Sequence, residues 1–145
     1  MDVDVEKFGS IPLFVGLERD EIWKILKLAE SITPSVGDEI VKQGDPGDGF
    51  YLISAGSYEV RKDGAEQMVL ARLEEQSFFG EMSLVTDEPR SASVVCVEEG
   101  RLKKVPVDKF NQLLEDGDLI AYKIVHNMSR ILAQRLARLE NRIVN

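Results

Sequence analysis

The chain has 145 residues, a formal net charge of −8 and a single cysteine. Its length suits one domain with a real hydrophobic core, and one cysteine excludes an internal disulfide. An acidic chain is not typical of a general nucleic-acid binder, and no apolar run approaches the ~20 residues of a membrane span. The start, MDVDVEKFG, lacks the cationic and apolar segments of a secretory signal, so we expect a soluble, cytoplasmic protein without membrane contact.

Helical spacing of apolar residues marks the segment 11–30. Leu13 and Leu17 lead into Ile22, Ile25 and Leu26, which recur every three or four residues. This pattern predicts an N-terminal helix after a short turn, within an N-terminal helical segment that we place at 1–31.

Short strand-like pieces separated by glycines follow from about 32 to 106. Turn signals recur every eight to twelve residues or so, a spacing typical of an all-β sandwich or barrel. The candidate strands are 39–42, 49–54, 57–62, 68–73, 91–97 and 101–106.

The segment GDPGDG at 44–49 contains two aspartates and three glycines. An EF-hand calcium loop needs spaced oxygen donors and a distal bidentate glutamate, and that pattern is absent. We therefore favour a tight turn between strands, with calcium binding as the alternative.

The run FFGEMSLVTDEPRSASV at 78–94 combines features that suit a small anion. Gly80 and Glu81 open a short helical stretch, where backbone N–H groups and a glycine allow close approach of a phosphate. Arg90 follows a proline and offers a fork that can bind two phosphate oxygens. Each piece alone is typical of an ordinary turn, so the prediction depends on their combination.

Glu81 indicates what else this ligand carries. A carboxylate accepts hydrogen bonds, so its natural partner beside a phosphate is a sugar hydroxyl. A triphosphate would require a lysine and a magnesium ligand, and no GK[ST] sequence occurs in the chain. The residues therefore favour a nucleotide with one phosphate charge, and a cyclic phosphodiester fits especially well.

Two helices are predicted after Val107. Asp108 can cap a short helix through Leu114, and Gly117 separates it from a long helix over about 118–143. One apolar stripe runs along the long helix, formed by Ile124, Val125, Met128, Ile131, Leu132, Leu136, Leu139 and Ile143. The helix is long enough to reach past a small domain, so we expect part of the stripe to pair with another subunit.

The tail 119–145 carries five basic residues against one glutamate, Glu140. A basic face of this kind could touch an anion or an acidic partner, although a solvated helix face is the commoner reading.

Catalytic and metal-binding chemistry find little support in the sequence. His126 is the only histidine and is far in sequence from Cys96, so no nucleophile and base pair is evident. Two such residues are too few for a zinc site, and we expect neither a metal nor a cofactor. Cys96 lies in an alternating stretch, which favours a small apolar strand residue over a reactive thiol.

The run at 78–94 resembles the phosphate-binding cassette of the cyclic nucleotide-binding domain family, of the catabolite activator protein and kinase regulatory subunit type. That cassette reads approximately FGE-(L/M)-(A/S)-L, then a variable stretch, then PR-(S/T/A)-A-(S/T)-V. Residues 79–84 and 89–94 match its two parts, and the resemblance covers roughly residues 11–143. It implies one domain over 1–145, mainly β with flanking helices. The expected fold is an eight-stranded antiparallel β-roll (jelly-roll) at 32–106, a short phosphate-binding helix and C-terminal helices at 107–145.

The same resemblance assigns roles to matching positions. Arg90 is expected to pair with the cyclic phosphate, with hydrogen bonds from Ser91 and from the amides of Met82 and Ser83. Glu81 is expected to accept from the ribose 2′-hydroxyl. Gly80 and Ala92 complete the expected ligand-binding set.

The base is expected to be read elsewhere, by the long C-terminal helix. A gapless alignment with the catabolite activator proteins places Leu139 and Glu140 at the candidate base contacts, where that type has small hydroxyl residues. Specific hydrogen bonds to adenine would then be lost. Ser91 favours cAMP slightly over cGMP, so cAMP is the expected ligand and cGMP the alternative.

The resemblance leads to a first hypothesis of a cyclic-nucleotide sensor whose C-terminal helix moves on binding and forms a homodimer. An unknown protein effector would read the signal. DNA binding is not expected, because no output module follows the long helix before Asn145. The chain is then either a stand-alone sensor or one domain of a longer protein. The rival hypotheses are a nucleotide-independent dimerisation module on the same fold and, more remotely, an enzyme.

Overall fold

The computed structural model describes the backbone of residues 2–144 and the side chains of residues 5–141. The helices are α1 (Asp2–Phe8), α2 (Arg19–Leu28), α3 (Val107–Glu115) and α4 (Leu119–Val144), with 3₁₀ turns at Pro12–Phe14 and Glu81–Leu84. The strands are β1 (Glu30–Ile32), β2 (Glu39–Val41), β3 (Gly49–Lys62), β4 (Met68–Leu73), β5 (Phe78–Phe79) and β6 (Ser93–Pro106).

All strand pairs are antiparallel and belong to one sheet. The main order is β1-β6-β3-β4, while β2 also pairs with β6 and β5 also pairs with β3. This architecture confirms the predicted β-roll with flanking helices.

The predicted number of eight strands is wrong, because the described residues form six. The expected breaks inside β3 and β6 are bends, and the register of the β3–β6 ladder shifts between Ile53 and Tyr58. At the bend Gly56 has φ 93°, and a Cβ on it would lie 2.6 Å from the Cα of Gly100. Only two glycines allow the backbones to approach this closely, so each strand bends and continues.

Two further details differ from the sequence predictions at the helices. Helix α1 lies within the predicted helical segment 1–31 but was not predicted as a separate helix, and Val5 and Phe8 are buried on its inner face. Asp108 does not cap α3, because the helix begins at Val107 with Pro106 as its cap residue. The Asp108 carboxylate instead accepts from the Lys109 amide at 2.9 Å.

The strand β3 separates two hydrophobic clusters. Phe50 and Leu52 pack against the helices, whereas Tyr51 and Ile53 point into the roll. This alternation is the period of two expected for a strand buried on both faces. Cys96 is fully buried in the roll cluster, where burial raises the pKa of its thiol. That confirms an apolar strand residue in place of a reactive thiol.

Helix α4 changes character along its length. Ile120, Ala121, Ile124 and Met128 are buried in the helical cluster, and Ile131 and Leu132 pack at its edge. Leu136 and Leu139 are 56% and 52% exposed. The predicted stripe therefore contacts the domain over its first half only, and its last member, Ile143, lies outside the described side chains.

Candidate functional site

Arg90 is fixed at one end of a cavity beside the loop between β2 and β3. Its Nη2 donates to the Gly49 carbonyl at 2.8 Å and to Asp48 Oδ1 at 3.2 Å, and its Nη1 donates to the Gly80 carbonyl at 3.2 Å. Only 8% of its side chain is exposed. The guanidinium is thus largely buried and oriented before any ligand arrives.

The loop 42–48 holds the Arg90 backbone as well. The Gly44 amide donates to the Arg90 carbonyl at 2.8 Å, and the Arg90 amide donates to the Asp45 carbonyl at 2.8 Å. A Cβ on Gly47 would lie 2.7 Å from Ser83 Cβ, so this glycine allows the loop to pack against the cassette. The GDPGDG segment therefore supports Arg90 from behind.

Gly80 makes the turn that places the short 3₁₀ helix at the cavity. It has φ 80°, the left-handed region that glycine adopts readily, and a Cβ there would lie 2.9 Å from Arg90 Nη1. The Ser83 hydroxyl contacts the carbonyls of Gly49 and Gly80 at 2.9 and 2.8 Å. The Ser83 amide donates to the Gly80 carbonyl at 3.2 Å.

Glu81 is a buried acid with a partner on α4. Its side chain is 7% exposed, and Oε1 accepts from Arg135 Nη1 at 2.7 Å. A buried charged group is stabilised by a hydrogen-bonded partner of opposite charge, and Arg135 is that partner here. The sequence analysis missed this contact, although it identified a basic tail that could meet an acidic group.

The cavity itself has a volume of about 560 Å³. The predicted ligand-binding residues all line it: Gly80, Glu81, Met82, Ser83, Arg90, Ser91 and Ala92. The strands contribute apolar lining residues, Val41, Val60, Ala71, Leu73 and Val94. The arrangement offers an anion site at one end and an apolar slot beside it.

The candidate base contacts lie elsewhere in this structure. Leu139 and Glu140 are exposed on the last turns of α4 and are absent from the cavity wall. Arg135, one turn earlier than Leu139, is the α4 residue that lines the cavity.

Asp48 connects the cavity to the outer surface. Its Oδ2 accepts from Lys104 Nζ at 2.6 Å while Oδ1 contacts Arg90. Burial opposes ionisation of this carboxyl, but the charges and hydrogen bonds of Lys104 and Arg90 outweigh it and lower the pKa of Asp48. Asp48 belongs to the GDPGDG segment at 44–49, which was predicted only as a tight turn.

Within residues 2–144, no helix is both long and apolar enough to cross a membrane. Among the described side chains, no group of three or more histidine, cysteine, aspartate or glutamate residues could hold a metal ion. His126 is exposed on α4.

The fold and the cavity define a β-roll domain with a cavity whose lining suits a small anionic ligand. The family model of the cyclic nucleotide-binding domain matches residues 35–116, which is more than half of the chain. The chain belongs to the cyclic nucleotide-binding domain family.

The chain is also similar in sequence to cyclic-nucleotide-dependent protein kinases and their regulatory subunits. A cAMP-dependent protein kinase regulatory subunit of Mucor circinelloides f. lusitanicus is 44% identical over 110 residues, which cover 73% of this chain and 25% of that protein. The cGMP-dependent protein kinase isozyme 2, forms cD5/T2, of Drosophila melanogaster is 34% identical over 119 residues, covering 79% of this chain and 13% of that protein. The chain thus spans a quarter or less of the length of these kinase proteins.

The crystal structure of the Thermus thermophilus catabolite activator protein is similar as well. It superposes with a TM-score of 0.81 at 30% identity, covering 91% of this chain and 61% of that chain.

Proposed function

We propose that this domain is a sensor of a purine 3′,5′-cyclic mononucleotide, with cAMP as the first candidate and cGMP as the second. In this proposal the domain has no catalytic role, and binding changes the position of the second half of α4. A protein effector or a second copy of the chain reads that change.

The observation that carries the proposal is the buried, oriented guanidinium of Arg90. A guanidinium has five N–H donors, and three of its contacts are to Gly49, Gly80 and Asp48. The Nε–H and one Nη1–H remain as donors for a phosphate without breaking the existing contacts. One arginine suits the single charge of a cyclic phosphodiester, and the neighbouring hydroxyl of Ser91 can add a hydrogen bond.

Glu81 supports a ribose next to that phosphate. It directly follows Gly80, whose carbonyl contacts Arg90, so the carboxylate lies close to the anion site. With Oε1 bound to Arg135, Oε2 can accept from a ribose 2′-hydroxyl. The apolar strand wall beside them suits the flat faces of a purine.

The contact between Arg135 and Glu81 supports coupling to α4. It joins the cavity wall to the part of the helix that lies beyond the buried residues. A ligand that competes for Glu81 or lies against Arg135 changes how this part of α4 is held, and its differential contacts can then shift the helix.

The exposed leucines of α4 support pairing with a second copy. Leu136 and Leu139 are more than half exposed on consecutive turns. Apolar residues three and four apart form the seam of paired helices, so a homodimer through α4 would bury them. The same surface also serves the rival proposal of a dimerisation module, for which nucleotide binding is unnecessary.

Isothermal titration calorimetry with cAMP and cGMP tests the proposal. The wild type should show saturable binding, and Arg90→Ala should lose on the order of 2 to 5 kcal/mol, because the buried phosphate loses its charged partner. Arg130→Ala is the matched control, since Arg130 is exposed on α4 and does not line the cavity. If neither cAMP nor cGMP binds at millimolar concentration, the sensor proposal is eliminated and the dimerisation module remains.

A further inference from the structure

The apolar half of the cavity offers few groups that could recognise the edge of a base. The strand residues that line it are Val41, Val60, Ala71, Leu73 and Val94, whose side chains neither donate nor accept hydrogen bonds. The polar side chains on the cavity wall, apart from Arg135, all belong to the segment 81–91. That segment includes the residues assigned above to phosphate and ribose.

Arg135 is the exception, because it reaches the cavity from α4. It is fixed through Nη1, which donates to Glu81 Oε1 at 2.7 Å. Its side chain is 53% exposed, so the guanidinium lies between the cavity and solvent. An arginine anchored at one nitrogen still presents Nε and Nη2 as donors in a fixed plane.

We infer that Arg135 reads the base and favours the 6-oxo edge of guanine over the 6-amino edge of adenine. This inference rests on the proposed function, since it requires a cyclic purine nucleotide in the cavity. Guanine presents two acceptors side by side, O6 and N7, which match two N–H donors of an arginine. Adenine presents the N7 acceptor beside an N6 amino donor. The guanidinium has donors only, so it cannot form a hydrogen bond with that amino group.

The two roles of the Glu81 carboxylate are compatible in this arrangement. Oε1 keeps the guanidinium in place, and Oε2 accepts from the ribose. The same acid thus fixes the sugar and the residue that reads the base. Arg135 therefore raises the affinity for cGMP relative to cAMP, whichever nucleotide binds more tightly in absolute terms.

The candidate base contact Glu140 would read other atoms of the base. A carboxylate cannot bind guanine O6, but it can accept from the adenine amino group or from the N1–H and 2-amino group of guanine. Glu140 is exposed and does not line the cavity, whereas Arg135 does. The inosine nucleotide, which lacks the 2-amino group, and the Glu140→Ala variant therefore distinguish the two residues.

The test is a titration of the full chain with cAMP, cGMP and inosine 3′,5′-cyclic monophosphate. The inosine nucleotide has the O6 and N7 acceptors of guanine but lacks its 2-amino group. Arg135→Lys is the key variant, because it keeps a positive charge beside Glu81 and removes the planar fork. Arg138→Lys is the matched control on an exposed part of the same helix.

We expect Arg135→Lys to lower the ratio of cGMP to cAMP affinity about tenfold, with the inosine nucleotide following cGMP. Arg138→Lys should leave this ratio within about twofold. The inference is overturned if wild type binds and Arg135→Lys leaves the ratio unchanged, if the inosine nucleotide follows cAMP, or if Glu140→Ala shifts the ratio in its place. A wild type that binds none of the three nucleotides overturns the proposed function and this inference together.

Discussion

Asp48 holds Arg90 from the outer side of the cavity wall. The carboxylate is 59% exposed, whereas the arginine side chain that it contacts at 3.2 Å is 8% exposed. Lys104 Nζ contacts the other oxygen of Asp48 at 2.6 Å. A largely buried cation is thereby balanced by an acid that remains accessible to water, and the arginine keeps donors for a ligand.

This arrangement predicts a loss of stability in acid. Burial opposes ionisation of Asp48, but Lys104 and Arg90 lower its pKa in the folded protein below the usual 3.8. The unfolded chain then binds more protons as the pH falls, so the free energy of unfolding decreases from about pH 5 downward. Asp48→Asn should flatten this acid dependence, measured as urea midpoints at several pH values. Asp87→Asn, an exposed change of the same type, should leave the dependence unaltered. Equal acid dependence in Asp48→Asn and wild type would contradict the prediction.

Gly80→Ala should damage the site in two separable ways. The left-handed backbone, φ 80°, costs an alanine on the order of 1 to 2 kcal/mol, and its Cβ would lie 2.9 Å from Arg90 Nη1. Gly117→Ala separates the two effects, because its φ is 70° but no heavy atom lies within 4 Å of the added Cβ. Both variants should lower the urea midpoint, and only Gly80→Ala should weaken nucleotide binding in calorimetry. Equal binding by the two alanine variants would show that the contact with Arg90 has no consequence for the ligand.

The ribose role of Glu81 predicts a coupled loss. Wild type should bind 2′-deoxy-cAMP less tightly than cAMP by about 1.5 to 3 kcal/mol, the usual contribution of a hydrogen bond to a charged group. Glu81→Gln keeps the shape and an acceptor oxygen but removes the charge, so its penalty for the missing hydroxyl should fall to about 0.5 to 1.5 kcal/mol, the range of a neutral hydrogen bond. Subtracting the deoxy penalty of Glu81→Gln from that of the wild type isolates the contact between Glu81 and the hydroxyl. A deoxy penalty of the same size in Glu81→Gln would assign the hydroxyl to another residue.

Much of this arrangement is local in sequence and was predictable. The cassette residues lie within 79–94. The helical spacing of apolar residues in α4 predicts a long helix without any knowledge of its packing partners. The bends of β3 and β6 depend on two glycines, Gly56 and Gly100, that meet across the ladder. The candidate strands 49–54 and 57–62 therefore form one strand, as do 91–97 and 101–106, and the count of eight implied by the resemblance was too high.

The contact between Arg135 and Glu81 joins residues 54 positions apart. No local pattern contains it, and the basic tail was the only signal. The structure does not place Leu139 or Glu140 in the cavity wall. Their role as base contacts therefore stays a prediction.

Asn127 is expected to fix the start of α4 to the N-terminal segment. It is 6% exposed, and its Nδ2 donates to the carbonyls of Leu13 and Val15 at 2.9 and 2.7 Å. Asn127→Ala would leave the buried Leu13 carbonyl and the partly buried Val15 carbonyl without this donor, at a cost of about 1 to 3 kcal/mol. Urea denaturation measures the loss, and Asn111→Ala on the exposed face of α3 is the control. A loss below about 0.5 kcal/mol, the range of ordinary surface changes, would exclude the fixing role.

The two halves of α4 should differ in hydrogen exchange. Residues 119–128 include four buried apolar side chains and the buried Asn127, and Lys123 contacts Glu21 at 2.9 Å. Residues 129–141 have no buried side chain, and Arg135 links them to the cavity wall through its ion pair with Glu81. Local opening is easier where few apolar contacts hold a segment, so amides of 129–141 should exchange faster in the absence of ligand.

Ligand should alter that second half of α4 and leave the first half unchanged. Because Arg135 joins the second half to Glu81, a nucleotide that contacts either residue changes the free energy of opening there. Arg135→Ala should exchange fast at 129–141 and respond less to ligand, while Arg138→Ala should behave as wild type. Measurement of exchange by mass spectrometry with and without saturating cAMP and cGMP resolves the two halves. An equal change at 119–128 would mean that the helix moves as one rigid unit, because the buried first half would then respond as strongly as the half that touches the cavity.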